Sequence, residues 1–177
     1  MRFEELISDP IQRSLYLYWL NKCGDRPMPA RADLDPLEMP RPALKDMGLV
    51  DVIEHGRDFH YRLVGTNNVS RMGVDITGRR ASEVYEGEYR AFLMAIYREA
   101  VERKTCILSI GAFSISGPSS LNTTRLLMPL SADGGAVDML VYHNSSSISA
   151  PHALDPSGPR LPRAARETVR HRRCDYL

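Results

Sequence analysis

The stretch from Leu15 to Arg80 constrains the fold more than any other part of this chain. It reads LYLYWLNKCGDRPMPARADLDP and, further on, LVDVIEHGRDFHYRLVGTNNVSRMGVDITGR. An aromatic helix pattern runs into a connector that carries Pro27, Pro29, Pro36, Pro40 and Pro42. Each proline fixes φ and discourages helix in the residue before it, so the helix must stop here. Leu49–Ile53 then reads as a strand, and His55-Gly56-Arg57-Asp58 as a turn. Phe59, Tyr61 and Leu63 alternate with His60, Arg62 and Val64, the period of two that marks a half-buried strand.

The first helix has clear start and stop signals. Asp9 suits the N-cap, Pro10 the first helical position, and Gln12 the partner position of a capping box. Gly24 is a natural stop. Ile11, Leu15, Tyr18, Trp19 and Lys22 share one side at helical spacing, and Leu17 and Leu20 widen the apolar surface. Such a helix has two ways to bury itself. It can cover the open side of a sheet, or it can pair with its twin in a homodimer through Ile11, Leu15, Tyr18 and Trp19. In the connector, Leu34, Leu37, Met39 and Leu44 are the expected anchors. Asp33 and Asp35 read as turn caps, because the rest of a calcium loop is missing.

Further along, Thr66 can cap a short helix through Met72, and Thr77-Gly78 marks a turn. Glu86 to Lys104 is the longest helical pattern, with a stripe of Tyr89, Phe92, Leu93, Ile96 and Ala100. Its acidic start and basic end suit the helix macrodipole. Strands are expected at Cys106–Ile115, Thr123–Leu130 and Ala136–Tyr142, with a Ser-Gly-Pro-Ser-Ser turn after the first and Asp133-Gly134 between the last two. The order is helix, two strands, short helices, long helix, three strands. That order specifies an α+β fold, a five-stranded antiparallel sheet with helices on one face and a flanking N-terminal helix.

Composition narrows the function classes. The chain has 177 residues, 43% of them hydrophobic, which suits one domain with extensions. A formal net charge of +1 gives no whole-chain attraction to nucleic acid or membrane. Cys23, Cys106 and Cys174 lack metal-ligand spacing, and an odd count fits no disulfide framework. No signal segment or membrane span is legible, so a cytoplasmic location is expected. Three parts are expected: helix and connector over 1–48, a core over 49–143, and a Ser/Pro/Arg-rich tail over 144–177. Arg163, Arg166, Arg170 and Arg173 would share one side of a tail helix. A solvated tail is the reading preferred over an acidic, lipid or nucleic-acid partner site.

The segments LYLYW, GDRPMPARADLDP, LVDV, FHYRLVGT, GVDITGR and LLMPLSADGGAV, spread over 13–143, resemble an alphaproteobacterial family of small PAS-like proteins. One departure is Cys23-Gly24-Asp25-Arg26, where that family carries Arg nearer the helix end. The resemblance implies a sensory or regulatory module that binds a small molecule or mediates protein contacts. A homodimer and an unidentified signalling partner follow from it; membrane insertion and nucleic acid do not. The implied cavity lies between the sheet and the Glu86–Lys104 helix, lined by Phe59, Tyr61, Leu63, Phe92, Ile96, Met128 and Met139. The alternative is that these seven fill a solid core and the chain is a structural docking module without a ligand.

No cofactor is expected. The long helix carries no His for haem, no GxNCRFLQ-like motif for flavin photochemistry is present, and the five histidines lack zinc spacing. An enzyme is not expected either, since GxSxG, P-loop and GxGxxG motifs are missing. The least favoured alternative is proton transfer in a conical cavity by Asp138 or His60. Both alternate with apolar neighbours, which places them on the wetter face.

Overall fold

Asp9 opens the N-terminal helix as its position requires, its Oδ1 accepting from the Ile11 and Gln12 amides at 2.8 and 2.9 Å. The computed structural model describes residues 2–114, 120–149 and 170–172, with side chains over 2–111 and 123–146. A single turn, α1 (Phe3–Leu6), precedes the capped helix α2 (Pro10–Cys23), which ends at Gly24. The connector follows, with Asp33 and Asp35 accepting from the Ala30 and Leu37 amides as turn caps do. Strands β1 (Met47–Ile53) and β2 (Asp58–Val64) come next. Helices α3 (Thr66–Met72), α4 (Ala81–Val84) and α5 (Gly87–Arg103) lead to β3 (Cys106–Ser114), β4 (Ser120–Leu130) and β5 (Met139–Ser149).

The sheet is antiparallel throughout, in the order β2-β1-β5-β4-β3, and a short strand β6 (Arg170–Arg172) joins it beside β3. Arg170 is therefore in a strand and not in the expected tail helix; Arg163, Arg166 and Arg173 lie outside the described residues, as does the turn at 115–119. β5 also runs past the expected end of the core at residue 143. The serines that read as a tail pair with the start of β4, Ser145 with Thr124 and Ser146 with Thr123. Small hydroxylated side chains facing one another across antiparallel strands are a stable cross-strand pairing. Among the described residues, no helix is long and apolar enough to cross a membrane.

Strand parity separates the helices into two layers. On β5, Asn144 bonds to Asn68 of α3, while the next residue, Ser145, bonds to Asp9 at the start of α2. Neighbours along a strand point to opposite faces. So α3 and α5 cover one face and α2 covers the other.

This placement corrects the dimer contact expected from sequence. Leu15 and Trp19 are each 1% exposed within a single chain, and the Trp19 indole donates to the Pro129 carbonyl at 3.0 Å. Ile11 and Tyr18 are half-buried, with the Tyr18 hydroxyl accepting from the Asp35 amide at 2.8 Å. The large hydrophobic side chains that α2 leaves exposed are Leu17 and Leu20. Gln12 is likewise inside and makes no capping box. Its side chain donates to the carbonyls of Thr124 and His143 at 2.9 and 3.0 Å, fastening α2 across β4 and β5.

Candidate functional site

Two sheet features shape the space beneath α3 and α5. The first is a β-bulge. Leu49 pairs with Leu63 but the next residue, Val50, pairs with Tyr61, leaving Arg62 as the extra residue. A bulge changes the phase of the strand beyond it. Phe59 and Tyr61 are buried on the α5 side, whereas Leu63 has left that face and is 42% exposed. The second feature is Gly48. A Cβ there would lie 2.5 Å from the Leu63 carbonyl oxygen and closer still to the Tyr142 ring. Only glycine lets the Tyr142 ring lie flat against β1.

The result is a cavity of about 340 Å³. Its walls are aromatic: Tyr61 from β2, Tyr85, Tyr89 and Tyr97 from the α4–α5 region, and Tyr142 from β5. The rings meet edge to face, Tyr61 on Tyr85 at 6.3 Å and on Tyr142 at 6.2 Å, and Tyr85 on Tyr89 at 5.1 Å. Such pairs hold one another at fixed angles, so the walls are pre-set. The Tyr61 and Tyr97 hydroxyls approach to 3.3 Å. Met72 and Arg71 of α3 contribute at the exposed side of the cavity, where the Tyr85 hydroxyl reaches the Met72 sulfur at 3.7 Å.

The floor is polar and carries one buried cation. Arg125 is 9% exposed on β4, its Nε donating to Asn144 Oδ1 at 2.9 Å and its Nη2 to the Tyr89 hydroxyl at 3.0 Å. Asn144 Nδ2 donates to Asn68 Oδ1 at 3.0 Å, and Asn68 Nδ2 to the Asp46 carbonyl at 2.9 Å. Arg71 donates to the same Asn68 oxygen at 3.0 Å and pairs with the Asp46 carboxylate. Arg71 is thus neutralised. Arg125 has no carboxylate within ion-pair distance among the described residues.

The charge states follow from the surroundings. Burial works against the charge on Arg125, yet Tyr89 and Tyr97 hold its guanidinium above the ordinary 12.5. Burial pushes the phenols of Tyr61, Tyr85, Tyr97 and Tyr142 above the ordinary 10.0. Among the described residues, its lining includes neither a carboxylate nor an imidazole, so the Arg125 charge there has no anionic counterpart.

Of the seven residues expected around the cavity, Tyr61 lines it. Phe59 and Ile96 are buried beside it, with Phe59 edge-on to Tyr97 at 5.0 Å, and half-buried Phe92 packs on the core. Met128 and Met139 have the wrong parity. Met128 pairs with Val141 and Met139 with Leu130, one residue out of phase with Arg125 and Asn144, so both are buried on the α2 face. His60 lies 3.3 Å from Asp51 on the outer surface, and Asp138 accepts from the Ala132 amide at 2.6 Å; neither borders the cavity. Two signals could have found the site. Tyr85, Tyr89 and Tyr97 recur at multiples of four residues, and Arg125 stands where the polar stretch NTTR meets the apolar run LLMPL.

Among the described residues no group of three or more His, Cys, Asp or Glu side chains is placed to hold a metal ion. A family model described as a PAS domain matches residues 7–141. No curated protein matches the chain.

Proposed function

The chain belongs to the PAS domain family, and on that premise we propose that it is a sensory module whose input is a small molecule held among the tyrosines beneath α5. The observation that carries this reading is the cavity itself, about 340 Å³ with five tyrosine rings and a polar floor. Small-molecule sites are concave and mostly apolar with a few convergent polar groups, in volumes of roughly 300–1,000 Å³. This one stands at the small end and suits a compact ligand. A ligand would alter output only by favouring one packing over another. The element best placed to respond is α3, because its Asn68 shares the polar floor with Asn144.

The partner side of the proposal rests on α2, where Leu17 and Leu20 are 44% and 37% exposed on the outer surface. A second copy of the chain docking there would make a homodimer, and a separate signalling protein would receive the output. Sedimentation of the Leu17→Glu/Leu20→Glu double variant tests this, since a dimer built on that surface must dissociate.

Native mass spectrometry of the chain purified from a bacterial host, set against its denatured mass, tests the ligand side. A co-purifying small molecule that is lost in a Tyr142→Trp variant supports the reading. A bare protein that also shows no thermal shift across a metabolite library refutes it.

A further inference from the structure

Arg125 is chemically out of place unless something negative comes to it. A buried guanidinium is costly to desolvate and is ordinarily paired with a carboxylate. Here its partners among the described residues are a neutral amide oxygen and a phenol, at 2.9 and 3.0 Å, and it borders a cavity. The other cation at the cavity, Arg71, is already matched by Asp46. The site therefore has an unmet demand for a single negative charge, inside aromatic walls.

We infer that the cavity takes a small planar carboxylic acid, with its carboxylate on Arg125 and its flat body among the Tyr61, Tyr85 and Tyr142 rings. The inference rests on the small-molecule reading above. Guanidinium presents a planar fork that matches a carboxylate with two parallel hydrogen bonds. The acid would take over the acceptor roles that Asn144 Oδ1 and the Tyr89 hydroxyl now fill. Asn144 Oδ1 would then lose its donor while Nδ2 remains bonded to Asn68, which links the bound charge to α3. A phosphate fits less well, because its second charge and further oxygens would meet one cation and neutral phenols. A cationic ligand is repelled by Arg125.

The test is titration calorimetry of the full chain, after dialysis to remove co-purified ligand, with benzoate, 4-hydroxybenzoate and cinnamate. Benzamide and cinnamamide serve as uncharged matches, and inorganic phosphate as the competing anion. The expected result is that at least one acid binds tenfold or more tightly than its amide, and that Arg125→Gln abolishes the preference. Should Arg125→Gln fail to fold, carboxyl-labelled benzoate followed by carbon NMR replaces it. The bound acid must then stay ionised to lower pH than the free acid. If amides bind as well as acids, or phosphate binds in preference, the carboxylate assignment is overturned while the small-molecule reading stands. If wild-type protein binds none of these and carries nothing by native mass spectrometry, both fail together.

Discussion

Trp19 of α2 donates its indole N–H to the Pro129 carbonyl on β4, 3.0 Å away, in a site where the tryptophan is 1% exposed. Proline has no amide hydrogen to give, but its carbonyl remains a full acceptor, and Trp19 satisfies it. The residue that looked from sequence like a dimer contact is thus the pin that holds α2 to the sheet.

Truncating it should destabilise the domain. Trp19→Ala is expected to cost about 3–5 kcal/mol, the usual range for removing a buried aromatic. Urea unfolding should show a lower midpoint at an unchanged slope. A variant as stable as the parent, with altered sedimentation only, would return Trp19 to the surface.

Gly48 and Tyr142 give the second prediction. Because a Cβ on Gly48 would collide with the Tyr142 ring and the Leu63 carbonyl, Gly48→Ala must push the ring into the cavity. Overpacking of this kind costs about 1–3 kcal/mol. The variant should also lose whatever ligand the parent carries, measured by native mass spectrometry. Retention of both stability and ligand would show that β1 has room to move there.

Helices α2, α3 and α5, and the five long strands in their order along the chain, were legible because caps, prolines and alternation are local signals. Asp9, Pro10 and Gly24 mark α2 without help from the rest of the molecule. Site residues were less legible because a strand pattern identifies its two faces without saying which helix covers which. Met128 and Met139 are as apolar as any pocket residue, yet one step of parity puts them under α2. Leu63 was lost to the bulge at Arg62, which interrupts the pairing without breaking the alternation in the sequence. Ser145 and Ser146 read as tail because serine is usual in loops; only their pairing with Thr124 and Thr123 makes them strand.

His143 predicts a pH dependence. It is 2% exposed under α2, and neither ring nitrogen has a hydrogen-bond partner among the described residues. Burial lowers its pKa below the ordinary 6.5, with Arg71 acting in the same direction and Asp46 and Asp9 opposing. Just below 6.5 the unfolded chain therefore binds a proton that the folded chain refuses. Stability is fully present above that value and is lost as pH falls toward the folded-state pKa. His143→Leu should flatten this fall below the ordinary 6.5, measured as urea midpoints of both proteins. Parallel curves for the two would remove His143 from the account.

The cavity phenols predict the opposite limb. Burial raises the pKa values of Tyr61, Tyr85, Tyr97 and Tyr142, four of the eight tyrosines in the chain. A raised folded-state pKa means the folded chain keeps protons that the unfolded chain has released. These four contribute stability that is present below the ordinary 10.0 and is lost as pH rises beyond it. Tyrosinate absorbance should therefore include a late stage, beyond the ordinary 10.0, that coincides with loss of circular dichroism. A planar acid bound on Arg125 should move that late stage to higher pH, because it binds the folded state alone. A single smooth rise near 10, with the fold intact, would mean that water already fills the space between the rings.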